Sequence, residues 1–234
     1  MRVGWHRSYP GTAGTLRAMR VVIAGGHGQV ALRLERLLTD GGHSAAGIVR
    51  NPDHVGDLRA AGAEAVICDL EETDVATVAG HLDGADAVVF AAGAGPGSGI
   101  PRKTTVDRDA SVLMADAAER TGIRRFVQIS SLGAGAPPRA GADETFAAYL
   151  RAKTEAEDDL RRRDLDWTVL RPGGLTNAPG TGRIRLADSV PRGQVSRDDV
   201  AGVVGALVTG GAGIGRTLEL VAGDVPIAQA ISQL

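Results

Sequence analysis

Aromatic side chains are scarce in this chain: Phe, Trp and Tyr make up 3% of its 234 residues, so the 43% that is hydrophobic is mostly Ala, Val, Leu and Ile. A small-aliphatic core of this kind is the usual filling of parallel sheets covered by helices. Cysteine is almost absent. The single Cys68 excludes an internal disulfide, and its place in the run Ala65-Val66-Ile67-Cys68 predicts a buried, inert thiol and a reducing compartment. An excess of positive charge is also missing, the formal net charge being −2. Without a broad cationic field, nucleic acid and anionic membrane surfaces are disfavoured as partners. No apolar run approaches the roughly 18 residues of a membrane span; the nearest, residues 200–208, carries two glycines. The five histidines are scattered without metal-ligand spacing, so no metal site is expected. There is no P-loop, and Gly97-Ser98-Gly99 follows Pro96 where a nucleophile elbow needs glycine.

What the chain does have is regular alternation. From residue 20 onward, short β-branched runs alternate with longer helical patterns, the mark of successive βαβ units. Strands are predicted at residues 20–24, 44–49, 65–68, 87–91, 126–130, 167–170 and 217–221. Helices are predicted around Leu32, Leu34, Leu37 and Leu38, and at residues 106–120, 144–163 and 200–208. Right-handed crossovers then give the strand order 3-2-1-4-5-6-7, with ligands at the carboxyl ends near the switch between strands one and four. The expected fold is α/β: a Rossmann-type doubly wound parallel sheet of about seven strands with helices on both faces, in a single domain. That domain spans residues 19–234, with a small C-terminal substrate lobe from about residue 171. Residues 1–18 lack the apolar core of a secretory signal and read as an extension without fixed structure. Two glycine-rich loops, residues 93–101 and 133–141, follow predicted strands and border the expected crevice.

Val21-Val22-Ile23-Ala24 runs directly into Gly25-Gly26-His27-Gly28-Gln29-Val30-Ala31 and then into a leucine-patterned helix, the strand-turn-helix context of a dinucleotide site. Gly25 or Gly26 allows the tight turn, Gly28 lets the backbone approach a pyrophosphate, and small Ala31 permits close helix–strand packing. The helix start supplies unpaired N–H donors for that pyrophosphate. At the end of the second predicted strand an NAD site usually carries an acidic residue, whereas this chain has Arg50. A guanidinium there suits a 2′-phosphate, so NADP(H) is expected over NAD(H). Alternatively, Arg50 is a solvated arginine at a strand end.

Tyr149 and Lys153 stand at i and i+4, on one face of a predicted helix. An ammonium beside a phenol favours its ionised form and makes tyrosine a usable acid or base for a carbonyl or alcohol. Ser131 follows the fifth predicted strand at the same carboxyl edge, where its hydroxyl can polarise a substrate oxygen.

Several segments together carry a resemblance. They are Ile23-Ala24-Gly25-Gly26-His27-Gly28, Cys68-Asp69-Leu70, Arg125-Phe126-Val127-Gln128-Ile129-Ser130-Ser131, Tyr149-Leu150-Arg151-Ala152-Lys153, Leu170-Arg171-Pro172-Gly173-Gly174 and Ser196-Arg197-Asp198-Asp199-Val200. With them the chain resembles the short-chain dehydrogenase/reductase superfamily, specifically its atypical NAD(P)H-binding, epimerase-like members. The resemblance implies that Asp69 and Leu70 contact the adenine, Ala91, Ala92 and Gly93 the adenosine side, and Pro172 to Gly174 the nicotinamide, with Lys153 on its ribose. Asp198 and Asp199 are expected to cap the late helix. One departure from the family pattern is that residues 103–120 contain no asparagine where active members often carry one. The functional expectation is a cytoplasmic, NADP-dependent oxidoreductase or epimerase-like enzyme acting on a small carbonyl or alcohol. The alternative is a non-catalytic NADP(H)-binding redox sensor that works through a protein partner. The sequence leaves the substrate and the oligomeric state open.

Overall fold

The computed structural model describes residues 17–95, 97–137, 141 and 143–234. The leading extension therefore lies, for residues 1–16, outside the described residues. The chain begins with β1 (Arg20–Ala24), α1 (Gln29–Asp40), β2 (Ser44–Val49) and a 3-10 turn, Pro52–His54, that enters α2 (Val55–Ala60). Next come β3 (Glu64–Ile67), α3 (Val75–His81) and β4 (Ala87–Phe90). Helix α4 (Gly99–Arg102) passes through a π-helical stretch, Lys103–Asp109, into α5 (Ala110–Thr121). Then follow β5 (Arg125–Ile129), α6 (Glu144–Arg161) and β6 (Asp166–Pro172). The remainder holds β7 (Gly174–Thr176), β8 (Arg183–Ala187), β9 (Gln194–Ser196), α7 (Arg197–Gly210), β10 (Arg216–Ala222), β11 (Val225–Pro226) and α8 (Ile227–Ser232).

The main sheet has the order β11-β8-β10-β6-β5-β4-β1-β2-β3. Its stretch from β3 to β10 is parallel throughout and reproduces the expected 3-2-1-4-5-6-7 order. Nine strands replace the expected seven, because β8 pairs antiparallel with β10 and β11 with β8. These two have edge-strand composition: β8 alternates Arg183, Arg185 with Ile184, Leu186, and β11 contains Pro226, which an inner strand would not tolerate. Strands β7 and β9 form a separate parallel pair.

Burial of both sheet faces explains the near-continuous apolar strands. In β1, Val21 and Ile23 enter the core shared with α1, α7 and α8, while Val22 and Ala24 enter the core shared with α3 and α5. The same alternation runs through β4, with Ala87 and Val89 on one face and Val88 and Phe90 on the other. Because β1 leads to a helix on one face and its neighbour β4 to a helix on the opposite face, a crevice opens between their carboxyl ends.

Two expectations about burial change. In α1 the buried stripe is Ala31, Leu34, Glu35 and Leu38, the i, i+3, i+4, i+7 pattern, whereas Leu37 is 48% exposed. A glutamate thus occupies a core position and a leucine faces out. Cys68 is half-buried rather than fully buried; desolvation pushes its thiol pKa up and keeps it protonated. No helix among the described residues is long and apolar enough to cross a membrane.

Candidate functional site

The glycine turn lies at the carboxyl end of β1, closed by Gly28 N–H donating to Gly25 O (2.8 Å) and tied to β2 by Gly26 N–H donating to Ile48 O (3.0 Å). Gly25 sits at φ +77°, and a Cβ there would stand 2.7 Å from Ala92 Cα, just past β4. A Cβ on Gly26 would stand 2.6 Å from Gly47 Cα in β2. Only glycine lets the turn lie this close to both neighbouring strands. Gly28 opens α1 without a side-chain cap, and no acidic residue occupies the first turn. The first N–H groups of a helix have no intrahelical partner and carry the positive end of its dipole. With Gly28 and Gln29 exposed and Val30 and Ala31 buried beneath, the turn fits a pyrophosphate.

His27 is occupied otherwise. Its Nε2 lies 2.8 Å from Asp57 Oδ2, and its ring stacks on His54 with centroids 3.6 Å apart, so the side chain fastens the turn to α2. Behind the turn, Glu35 is fully buried with neither carboxylate oxygen hydrogen-bonded among the described residues. It packs against the backbone of Gly26 and Gly47, and desolvation pushes its pKa up to about 8. It is a neutral acid at pH 7.

At the outer end of the crevice, Arg50 leaves β2 with its side chain 54% exposed and Nη1 3.3 Å from Glu71 Oε2. Glu71 is held more firmly from the other side, by Arg102 Nη2 at 2.5 Å and the Thr105 hydroxyl at 2.6 Å. The hydrogen bond from Arg102 holds the Glu71 carboxyl below the usual range. Arg50 is therefore the more loosely held of the two arginines. Asp69 accepts from Glu71 N–H (3.0 Å) and shapes the turn after β3, while half-buried Leu70 packs on the core. The cap of α3 is Asp74, which accepts from Thr77 N–H at 2.8 Å. Ala91, Ala92 and Gly93 continue from β4 along the crevice, Ala91 N–H donating to Ala24 O (3.0 Å).

The candidate catalytic side chains lie where α6 meets the π-helical stretch. Tyr149 is half-buried, with Lys103 Nζ 5.7 Å and Lys153 Nζ 5.9 Å from its ring centroid. Lys153 is 3% exposed and stands 3.1 Å from Asp107 Oδ1, a charge contact without hydrogen-bond geometry, while donating to Ala92 O (3.2 Å) and Ile129 O (3.4 Å). Asp107 is fully buried and its other oxygen accepts from Ala94 N–H (3.3 Å). Lys103 is 6% exposed and donates to Gly95 O at 2.7 Å. Sequence reasoning missed Lys103 and Asp107, although their i, i+4 spacing on the helix facing Tyr149 and Lys153 was a usable signal.

Ser131 is half-buried in the turn after β5, its carbonyl accepting from Ala134 N–H at 3.0 Å. Its neighbour Ser130 is committed to the interior, donating to Glu157 Oε1 (2.5 Å), a buried carboxylate that Arg161 and Arg171 also grip. Pro172 is buried at the end of β6, and Gly173 N–H donates to Leu220 O (2.8 Å). The capping expectation for Asp198 and Asp199 needs correction: Ser196 is the N-cap of α7, accepting from Asp199 N–H at 3.0 Å. The two aspartates pin the preceding loop, Asp198 accepting from Gly180 N–H (3.0 Å) and Asp199 from Gly182 N–H (2.7 Å). A shorter serine side chain already fills the capping position, which frees the carboxylates to reach that loop.

Known proteins are similar to this chain over most of its length. Residues 25–210 match the model of a family described as NAD(P)H-binding. The sugar epimerase YhfK of Bacillus subtilis (strain 168), itself uncharacterised, is 38% identical over 217 residues, 92% of this chain and 100% of that protein. A Bacillus halodurans structure provisionally assigned as an NAD-dependent epimerase/dehydratase superposes with a TM-score of 0.86 at 37% identity, covering 93% of this chain and 100% of that one. The oxidoreductase ylbE of Lactococcus lactis gives 0.80 at 26% identity, covering 92% and 96%. With its uncapped glycine turn at the β1–β4 switch and this match over most of its length, the chain belongs to this NAD(P)H-binding family.

Proposed function

We propose that this protein is an NADP(H)-preferring oxidoreductase or epimerase-type enzyme that acts on a small carbonyl or alcohol. The observation that carries the reading is that the uncapped start of α1 and Tyr149 open onto the carboxyl edge of one sheet, joined by the Lys153 hydrogen bond to Ala92. The turn Gly25-Gly26-His27-Gly28-Gln29-Val30 holds the pyrophosphate through backbone N–H groups, and Asp69, Leu70, Ala91, Ala92 and Gly93 flank the adenosine. Pro172 and Gly173 flank the nicotinamide, which when bound supplies or accepts the hydride.

Arg50 takes the 2′-phosphate. It leaves Glu71 at little cost, because Arg102 continues to neutralise that carboxylate. Tyr149 donates or accepts the proton at the substrate oxygen, and Ser131 donates a hydrogen bond to the same oxygen. Lys153 fixes the site geometry by joining α6 to the ends of β4 and β5. The small lobe after residue 171 forms the substrate side of the crevice.

The test is calorimetric titration with NADPH and NADH. We expect NADPH to bind more tightly, and Arg50→Ala to weaken NADPH by about 1.5–3 kcal/mol, the range for a hydrogen bond to a charged group, while NADH changes little. Equal affinities in the wild type reject the NADP preference. For catalysis, Tyr149→Phe should lower NADPH-dependent turnover by about 10²–10⁴-fold and leave cofactor binding intact. One observation favours the sensor alternative: Asp107 already takes the charge of Lys153, which holds that ammonium back from a cofactor ribose. Tight NADPH binding with no turnover across a carbonyl panel would select it.

A further inference from the structure

We propose that Lys103 is an anion anchor in this crevice, and that the substrate carries a carboxylate directly beside the carbonyl or alcohol that reacts. The inference deepens the enzymatic reading above and rests on Tyr149 marking the reacting oxygen.

Two lysines approach Tyr149, and their circumstances differ. Lys153 has a buried counter-ion, Asp107, supplied by the π-helical stretch. Lys103 opens the same stretch and is equally buried, yet among the described residues no carboxylate lies within 4.0 Å of its ammonium, and its one hydrogen bond goes to Gly95 O at 2.7 Å. Residues 1–16, 96, 138–140 and 142 contain no Asp or Glu that could supply one. An ammonium carries three donors, and a buried charge without a partner is unfavourable. A ligand carboxylate at this point uses the remaining donors and removes that cost. The position is set by Gly95, in the loop that leaves β4, and by the ring of Tyr149, 5.7 Å from the ammonium. An anion on Lys103 therefore lies against the side chain that exchanges the proton, and a substrate short enough to reach both, a 2-oxo or 2-hydroxy acid, fits the pair. π-helical insertions are uncommon and concentrate at functional sites.

The surroundings define the rest of the molecule. Phe146, one turn before Tyr149 and tilted against it with centroids 5.9 Å apart, is 50% exposed. This apolar face suits a hydrophobic or aromatic body beyond the charged end. In the reductive direction the carbonyl carbon gains the hydride, its oxygen gains the Tyr149 proton, and NADPH is converted to NADP⁺, giving the 2-hydroxy acid.

Benzoylformate and its methyl ester share a carbonyl and a phenyl ring and differ in the charge. We expect calorimetric titration of the full chain saturated with NADP⁺ to show the acid binding at least tenfold tighter than the ester. Lys103→Met should abolish that preference and Lys103→Arg should retain it, with NADP⁺ affinity and melting temperature unchanged as controls. If Lys103→Met does not fold, Lys103→Gln takes its place, and the acid–ester comparison on the wild type decides independently. An ester that binds as well as the acid, no binding of the acid, or a preference that survives loss of the ammonium overturns the proposal. Tyr149→Phe separates the two readings: it should bind benzoylformate normally without reducing it. Continued reduction by that variant would remove the role of Tyr149 and leave the anchor standing.

Discussion

Glu35 makes the stability of this protein pH-dependent in a direction that can be calculated. Its carboxyl is fully buried behind the glycine turn, and desolvation pushes its pKa from the ordinary 4.5 to about 8. The folded chain therefore keeps this proton to about pH 8, whereas the unfolded chain releases it near pH 4.5. Between these values the unfolded state binds fewer protons, so this group's contribution to stability is full below pH 4.5 and falls as pH rises toward 8. At ~1.4 kcal/mol per pH unit, the loss is about 3 kcal/mol by pH 7 and about 4 kcal/mol by pH 8, where the folded group is itself half ionised. This is a large share of a stability of about 5–15 kcal/mol. Glu35→Gln keeps the shape and removes the titration. Urea unfolding of both proteins from pH 5 to 8.5 isolates the effect as a difference, because the other titrating groups are common to both. We expect the variant to gain on the wild type by about 3–4 kcal/mol across that range, with an unchanged dependence on urea. A stability difference that stays constant with pH would refute the reasoning, since it would mean that Glu35 has the same proton affinity folded and unfolded.

Two further substitutions probe the same region. Gly25→Ala forces a Cβ against Ala92 in a left-handed backbone conformation, so it should both lower the melting temperature and abolish NADPH binding by calorimetry. Normal NADPH affinity in a folded variant would show that the turn is not the cradle. Asp107→Asn strips the buried Lys153 of its counter-ion and should cost about 3 kcal/mol in urea unfolding, the lower end for breaking a buried pair. A loss under about 1 kcal/mol would mean that the ammonium finds another acceptor.

The sequence by itself determined the parallel sheet and its order. Arg20–Ala24 and Ser44–Val49 are legible because strands buried on both faces must be apolar at successive positions, and the order of strands follows once crossovers are right-handed. The glycine turn is legible for a related reason: backbone that must approach two strands admits only one residue type, so the constraint is written in the sequence. Tyr149 and Lys153 could be paired from their spacing alone, since one helix carries both.

Tertiary structure decided everything that depends on what faces what. Strands β8 and β11 alternate polar and apolar residues or carry proline, so only the docking of β8 on β10 and of β11 on β8 makes them strands. Glu35 lies in a helix whose leucines suggest a different inner face, and it is packing against Gly26 and Gly47 that buries it. Arg102, Lys103 and Asp107 sit in a charged run with no apolar period, and each acquires its partner from another element: Glu71 from the turn after β3, Gly95 from the loop after β4, Lys153 from α6. Local sequence encodes backbone conformation and burial, but the pairing of charges across elements exists only once the sheet has brought distant segments to its carboxyl edge.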